Sequence, residues 1–134
     1  MFEVKEKPRL VERAFLISCI HSERERSDAD SLLDELDELT QNLGIGVVGR
    51  KVVRIRKTSP RFILGKGKVE QLLSELKEAN ADVLIFDNEI TPAEQRNWET
   101  ESKVLVIDRH EIILDVFAER AQTREAKLQV KLAR

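Results

Sequence analysis

Cysteine is almost missing from this chain: Cys19 is the single one in 134 residues. One thiol cannot close an intrachain disulfide, which points to a reducing compartment rather than a stapled secreted domain. No apolar run approaches the ~18 residues that a membrane span needs. No apolar signal core opens the sequence either, so the expectation is a cytoplasmic protein. His21 and His110 stand apart, and no histidine–cysteine cluster has the spacing of metal ligands.

Charge is what the chain has in abundance. Hydrophobic residues make up 41% and charged residues 36%, the balance of a soluble globular domain with a highly charged exterior. A single domain of this length buries roughly two-thirds of its unfolded surface. The net charge of −2 conceals a polarity. Glu23, Glu25, Asp28, Asp30, Asp34, Glu35, Asp37 and Glu38 face only Arg24 and Arg26 within their stretch. From Arg50 to Lys68 the chain then carries Arg50, Lys51, Arg54, Arg56, Lys57, Arg61, Lys66 and Lys68 with no acid among them. Such a run attracts a polyanion, with nucleic-acid phosphate the first partner to consider.

Apolar periodicity supplies the architecture. Ala14–Ile20 is a short, nearly continuous apolar run, the mark of a strand buried on both faces. Leu32, Leu33, Leu36, Leu39 and Leu43 follow helical spacing from about Asp30, and Gly44 supplies a stop. Val47–Ile55 is β-branched with charge interleaved, as nearer a sheet edge. After Gly67, Val69, Leu72, Leu73 and Leu76 predict a helix ending near Asn80. Asp82–Asp87 and Lys103–Asp108 predict two further strands. Thr91-Pro92-Ala93-Glu94 is a capping box with proline in the first turn. Asp108-Arg109-His110-Glu111 offers a second, opening a helix with Ile113, Val116, Phe117 and Ala121 on one face. Alternating strands and helices predict an α/β fold: an open sheet of about four mainly parallel strands flanked by helices, leading into the start of a helical hairpin. The expected organisation is a polar lead over 1–12, an α/β domain over 13–121, and the beginning of a long helix over 122–134.

The densest chemistry is Gly65-Lys66-Gly67-Lys68. It is neither a Walker A loop nor a dinucleotide fingerprint, since the third glycine position of the latter holds Glu70. Glycines beside a helix start let backbone N–H groups approach an anion where the helix dipole already favours negative charge. The competing explanation is an ordinary solvated turn whose lysines add solubility. Asp87 and Asp108 end strands at the edge where open α/β sheets bind ligands. With Glu89 and His110 nearby, a metal or acid–base site is conceivable, but capping explains Asp108 without chemistry. Asp87 also has the position of a phosphoacceptor in receiver domains, yet the acidic pair such domains need is replaced by Ile20-His21-Ser22-Glu23. Cys19 reads as a small core residue. Trp98 is either a stacking platform for a base or a half-buried packing residue, and packing is favoured.

Several blocks together resemble the N-terminal domain of the HflX family of ribosome-associated GTPases. They are Ile63 to Glu70, Ala81 to Glu89, Thr91 to Asn97, Val106 to Arg109 and Ile113 to Val130. The resemblance implies a fragment without the GTPase domain, because neither Walker A nor the guanine-specifying signatures are present. It therefore implies no catalytic residue and no cofactor in this chain, with GTP and Mg2+ reserved for the missing domain. It implies as partners the large ribosomal subunit, its ribosomal RNA and the protein's own GTPase domain, in a family that splits stalled or idle ribosomes. The candidate RNA contacts are then Gly65, Lys66, Gly67 and Lys68, joined by Arg50, Lys51, Arg54, Arg56, Lys57 and Arg61 on charge alone. Arg124, Lys127 and Lys131 follow on a predicted helix. The alternatives are a regulatory module acting only on its own GTPase domain, and a receiver-like signalling domain.

Overall fold

A computed structural model describes residues 11–55 and 62–118. In chain order these form β1 (Arg13–Ile20), a 3-10 turn (Glu23–Glu25), α1 (Arg26–Asn42), β2 (Gly46–Arg54), α2 (Lys66–Ala79), β3 (Val83–Phe86), α3 (Pro92–Ser102) and β4 (Leu105–Asp108). A further helix, α4, covers 109–118. The four strands make one sheet in the order β2-β1-β3-β4, with every pair parallel. This is the predicted α/β fold. The sequences outside the described residues include the expected boundary near 121 and the expected helix over 122–134.

Burial explains the strand composition. β1 lies inside the sheet, and its residues alternate between two cores. Phe15, Ile17 and Cys19 join Val69, Leu72, Leu76, Leu84, Phe86 and Trp98 on the α2–α3 face. Ala14 and Leu16 join Leu33, Leu36, Val83, Ile85, Ile107, Ile112 and Val116 on the α1–α4 face. A strand covered on both sides cannot alternate polar with apolar, so it reads as a solid apolar run. β2 is an edge strand and keeps its charges.

Helix boundaries follow local chemistry. α1 starts about a turn earlier than its leucines suggest, because the acidic lead Glu23–Glu25 already winds as a 3-10 turn. Its inward face is Ala29, Leu33, Leu36 and Thr40 rather than a row of leucines; Leu32 stays exposed. Thr40 is accommodated because its Oγ1 donates to the Leu36 carbonyl at 2.7 Å. Gly44, at φ 82°, ends the helix as expected. The Thr91 capping box is complete: Thr91 Oγ1 accepts from Glu94 N at 3.1 Å, and Glu94 Oε1 accepts from Thr91 N at 2.9 Å. On α4 the inward residues are Ile112 and Val116, whereas Phe117 points to solvent, so the predicted face is rotated by part of a turn. The inward pair is one i, i+4 step, and the apolar sequence 112–114 left the phase ambiguous.

Candidate nucleic-acid interface

Parallel crossovers place the starts of α2, α3 and α4 at the carboxyl edge of the sheet, the edge at which open α/β sheets hold ligands. Gly65 is the N-cap of α2, with extended backbone (φ −70°, ψ 165°), so the helix begins at Lys66 and not after Gly67. Lys66, Gly67 and Lys68 therefore form the first turn. Their N–H groups lack intrahelical acceptors by position, the first turn contains no acid, and no side chain caps it. All three residues are exposed.

The chain leading into this turn is held tightly. Trp98 Nε1 donates to the Phe62 carbonyl at 3.0 Å. The Phe62 and Trp98 rings meet edge to face at 5.3 Å, and Leu64 is buried. Between them Ile63 adopts φ 73°, a left-handed conformation that a β-branched residue enters only under constraint. Trp98 itself is 0% exposed. It is a core residue that pins the loop, and it has no face open to a base. A cleft of about 360 Å³ beside the turn is lined by Phe62, Leu64, Lys66, Val69, Glu70, Leu73 and Glu101.

The glycines of the turn are not demanded by internal packing. A Cβ at Gly65 or Gly67 would meet nothing within 4 Å, and both backbones are open to other residues. Glycine inside a helix costs about 0.5–1 kcal/mol relative to alanine. What it leaves here is bare backbone between two lysines.

The other basic candidates divide sharply. Arg50 pairs with Asp34 at 2.9 Å and Asp37 at 3.5 Å, and donates to the Asp30 carbonyl at 3.2 Å. Lys51 Nζ pairs with Glu75 at 2.9 Å on the opposite side of the sheet. Arg54 stands 3.9 Å from Glu23. Acids of α1, of α2 and of the 3-10 turn are thus the counter-charges of β2. No ion pair among the described residues involves Lys66 or Lys68. Arg56, Lys57, Arg61, Arg124, Lys127 and Lys131 lie outside the described residues.

The strand-end carboxylates have structural partners. Asp108 Oδ1 accepts from Glu111 N at 3.1 Å and Oδ2 from Ile90 N at 3.2 Å, the capping role expected. Asp87, its side chain 8% exposed, binds Arg109 Nε at 2.6 Å. Arg109 also reaches Glu35 at 3.1 Å and the Leu32 carbonyl at 2.8 Å. Burial opposes the charge on Arg109, but its bonds to Asp87 and Glu35 outweigh it and raise its pKa. A phosphoacceptor would need an open carboxylate, so this pairing weighs against receiver-like chemistry. Cys19 is equally inert: burial, with a smaller contribution from Glu94, pushes its thiol up to about 12. The Arg109 network escaped the sequence because Arg109 read only as part of a helix start. So did the clasp in which Asn88 binds Cys19 N at 2.7 Å and Cys19 O at 2.9 Å.

Known proteins give this geometry a context. A family model described as GTP-binding GTPase N-terminal matches residues 30–118. The GTPase HflX of Akkermansia muciniphila is 46% identical over 134 residues, all of this chain and 31% of that protein. That of Lacrimispora saccharolytica is 38% identical over 133 residues, 99% of this chain and 31% of that protein. A crystal structure of a complex of SsGBP and GDP shares the fold with a TM-score of 0.54 and 23% identity, covering 91% of this chain and 33% of that one. The chain spans about a third of the length of these relatives. No helix among the described residues is long and apolar enough to cross a membrane. By the family match and by identity along its whole length, this chain belongs to the HflX family of GTPases, within the GTP-binding GTPase N-terminal group.

Proposed function

We propose that this chain is the ribosome-binding N-terminal domain of an HflX-type GTPase, and that it contacts phosphates of large-subunit ribosomal RNA through the first turn of α2. The observation that carries the proposal is the contrast in charge at the carboxyl edge: Lys66 and Lys68 are exposed and without ion pairs among the described residues, whereas Arg50, Lys51 and Arg54 are matched by acids. Lysine ammonium groups and unpaired N–H groups at a helix start bind phosphate without reading sequence. The bare glycine backbone admits close approach. Arg50, Lys51 and Arg54 then act mainly in holding α1 and α2 to the sheet, and add little to phosphate binding.

In this proposal the domain works by binding, in the cytoplasm. Nucleotide chemistry, with GTP and Mg2+, belongs to the GTPase domain of the complete protein. Co-sedimentation of the chain with large ribosomal subunits across a salt series is the test. Phosphate contacts release counterions, so binding should fall steeply from roughly 50 to 200 mM salt. Affinity that does not change over this range contradicts phosphate contact.

A further inference from the structure

The cleft beside the first turn of α2 has an apolar interior and a charged rim. Buried Leu64 and Val69 form its floor, and half-buried Phe62 and Leu73 form its walls. Lys66, Glu70 and Glu101 stand exposed at the rim. Its volume of about 360 Å³ falls in the range of pockets that take one small ligand. The rim charges are open. Among the described residues no ion pair involves Lys66, Glu70 or Glu101, although Lys66 and Glu70 are one helical turn apart. The aromatic wall is also fixed in advance. Left-handed Ile63 sets Phe62 on the cleft and Leu64 in the core, and the Trp98 bond to the Phe62 carbonyl holds that arrangement. A strained residue kept in place by its neighbours is an observation that points to a site.

We propose that this cleft takes one unstacked guanine of single-stranded RNA, with the adjoining phosphate on Lys66 and the first turn of α2. The chemistry of the rim selects that occupant. An apolar side chain of a protein would fill the walls but leave the carboxylates covered without partners. A base lies flat against aromatic and aliphatic walls and brings hydrogen-bonding groups on its edge. Ionised Glu70 and Glu101 only accept, so that edge must donate. Guanine presents N1–H and N2–H side by side, a match for both oxygens of one carboxylate. Uracil presents one N–H between two carbonyls, which a carboxylate repels. Lys66 belongs both to the cleft and to the helix start, so one nucleotide spans them. The proposal rests on phosphate contact at the α2 turn, and adds base selection to contacts that read no sequence themselves.

Fluorescence anisotropy with the 134-residue chain tests it. The probes are short labelled oligouridines whose central base is guanine, hypoxanthine or uracil; hypoxanthine lacks the N2 amine. At low salt the guanine probe should bind at least about five-fold more tightly than the uracil probe, with hypoxanthine between them. Glu70→Ala/Glu101→Ala should bring the three probes within about two-fold of one another, while the steep salt dependence remains. Free GMP, added as a competitor, should bind about ten-fold more weakly than the guanine probe, because it brings a single phosphate. GMP binding as tight as that probe would assign the cleft to a free nucleotide and overturn the proposal. Equal affinities of the three probes for the parent chain, with a steep salt dependence, overturn the base site and leave phosphate contact standing. A guanine preference that survives Glu70→Ala/Glu101→Ala overturns the cleft as its source. Binding that is absent for every probe, or unchanged by salt, overturns both readings.

Discussion

Gly49 lacks a side chain because the Phe15 ring fills the space where one would stand. A Cβ built there would lie 2.6 Å from the ring edge, closer than real contacts permit. The two residues are register partners on β1 and β2, just past the irregularity between Ala14 and Phe15. Gly49→Ala should destabilise the chain by about 1–3 kcal/mol through overpacking. Adding Phe15→Leu should recover part of that loss, as read from urea unfolding midpoints; an unchanged midpoint for Gly49→Ala alone would refute the close contact. Asp115 illustrates a different single-residue effect. Burial raises its pKa. Burial, then the charges of Asp115, Asp108 and Glu99, raises that of Glu111. Between the ordinary carboxyl range and these raised values, the folded state binds more protons than the unfolded state. Rising pH through that window therefore costs stability at these sites. Asp115→Asn should be neutral at low pH and gain stability over the parent as pH rises through the window, in denaturation midpoints measured across pH. A difference that stays flat contradicts partial burial of the pair. Neither effect was legible in the sequence. The glycine and the aspartate look ordinary until a ring from another strand is placed against one and partial burial surrounds the other.

Elements were more legible than contacts. Solid apolar runs identified β1, β3 and β4, because double-sided burial removes every polar position at once. The Thr91 box located the start of α3 to the residue, since a cap is a local structure that needs no partner. Where two phases were available the outcome was set by tertiary packing: α4 turned Ile112 inward in place of Ile113 and Phe117. The Asp87–Arg109–Glu35 network joins β3, α4 and α1, three segments distant in sequence, and nothing local signals it. Arg109→Leu should leave Asp87 poorly solvated and unpaired. The expected loss is about 2–4 kcal/mol, reduced from the fully buried case by the partial exposure of Arg109. Combining it with Asp87→Asn should recover a large share, and strict additivity in the double-mutant cycle would contradict direct coupling.

At the scale of the whole molecule, the sequence shows a polarity of charge but not which cations are matched. The acidic stretch from Glu23 to Glu38 and the basic stretch from Arg50 looked like independent regions. Folding brings α1, the 3-10 turn and α2 beside β2, so Asp34 and Asp37 meet Arg50, Glu23 meets Arg54, and Glu75 meets Lys51. Only a three-dimensional arrangement separates matched cations from open ones. Among the described residues it leaves Lys66 and Lys68 exposed and without ion pairs at the carboxyl edge, next to a helix start anchored by Trp98 and Leu64. The measurement that bears most directly on RNA contact through this turn is co-sedimentation with large ribosomal subunits at low salt. It compares the parent chain, Lys66→Glu/Lys68→Glu, and Lys77→Glu/Arg96→Glu as a control of equal charge change on other exposed sites. The first pair should weaken binding by about ten-fold or more and flatten its salt dependence, while the control stays within a few-fold of the parent. Parent-like affinity in Lys66→Glu/Lys68→Glu, or an equal loss in both pairs, would contradict phosphate contact through the first turn of α2.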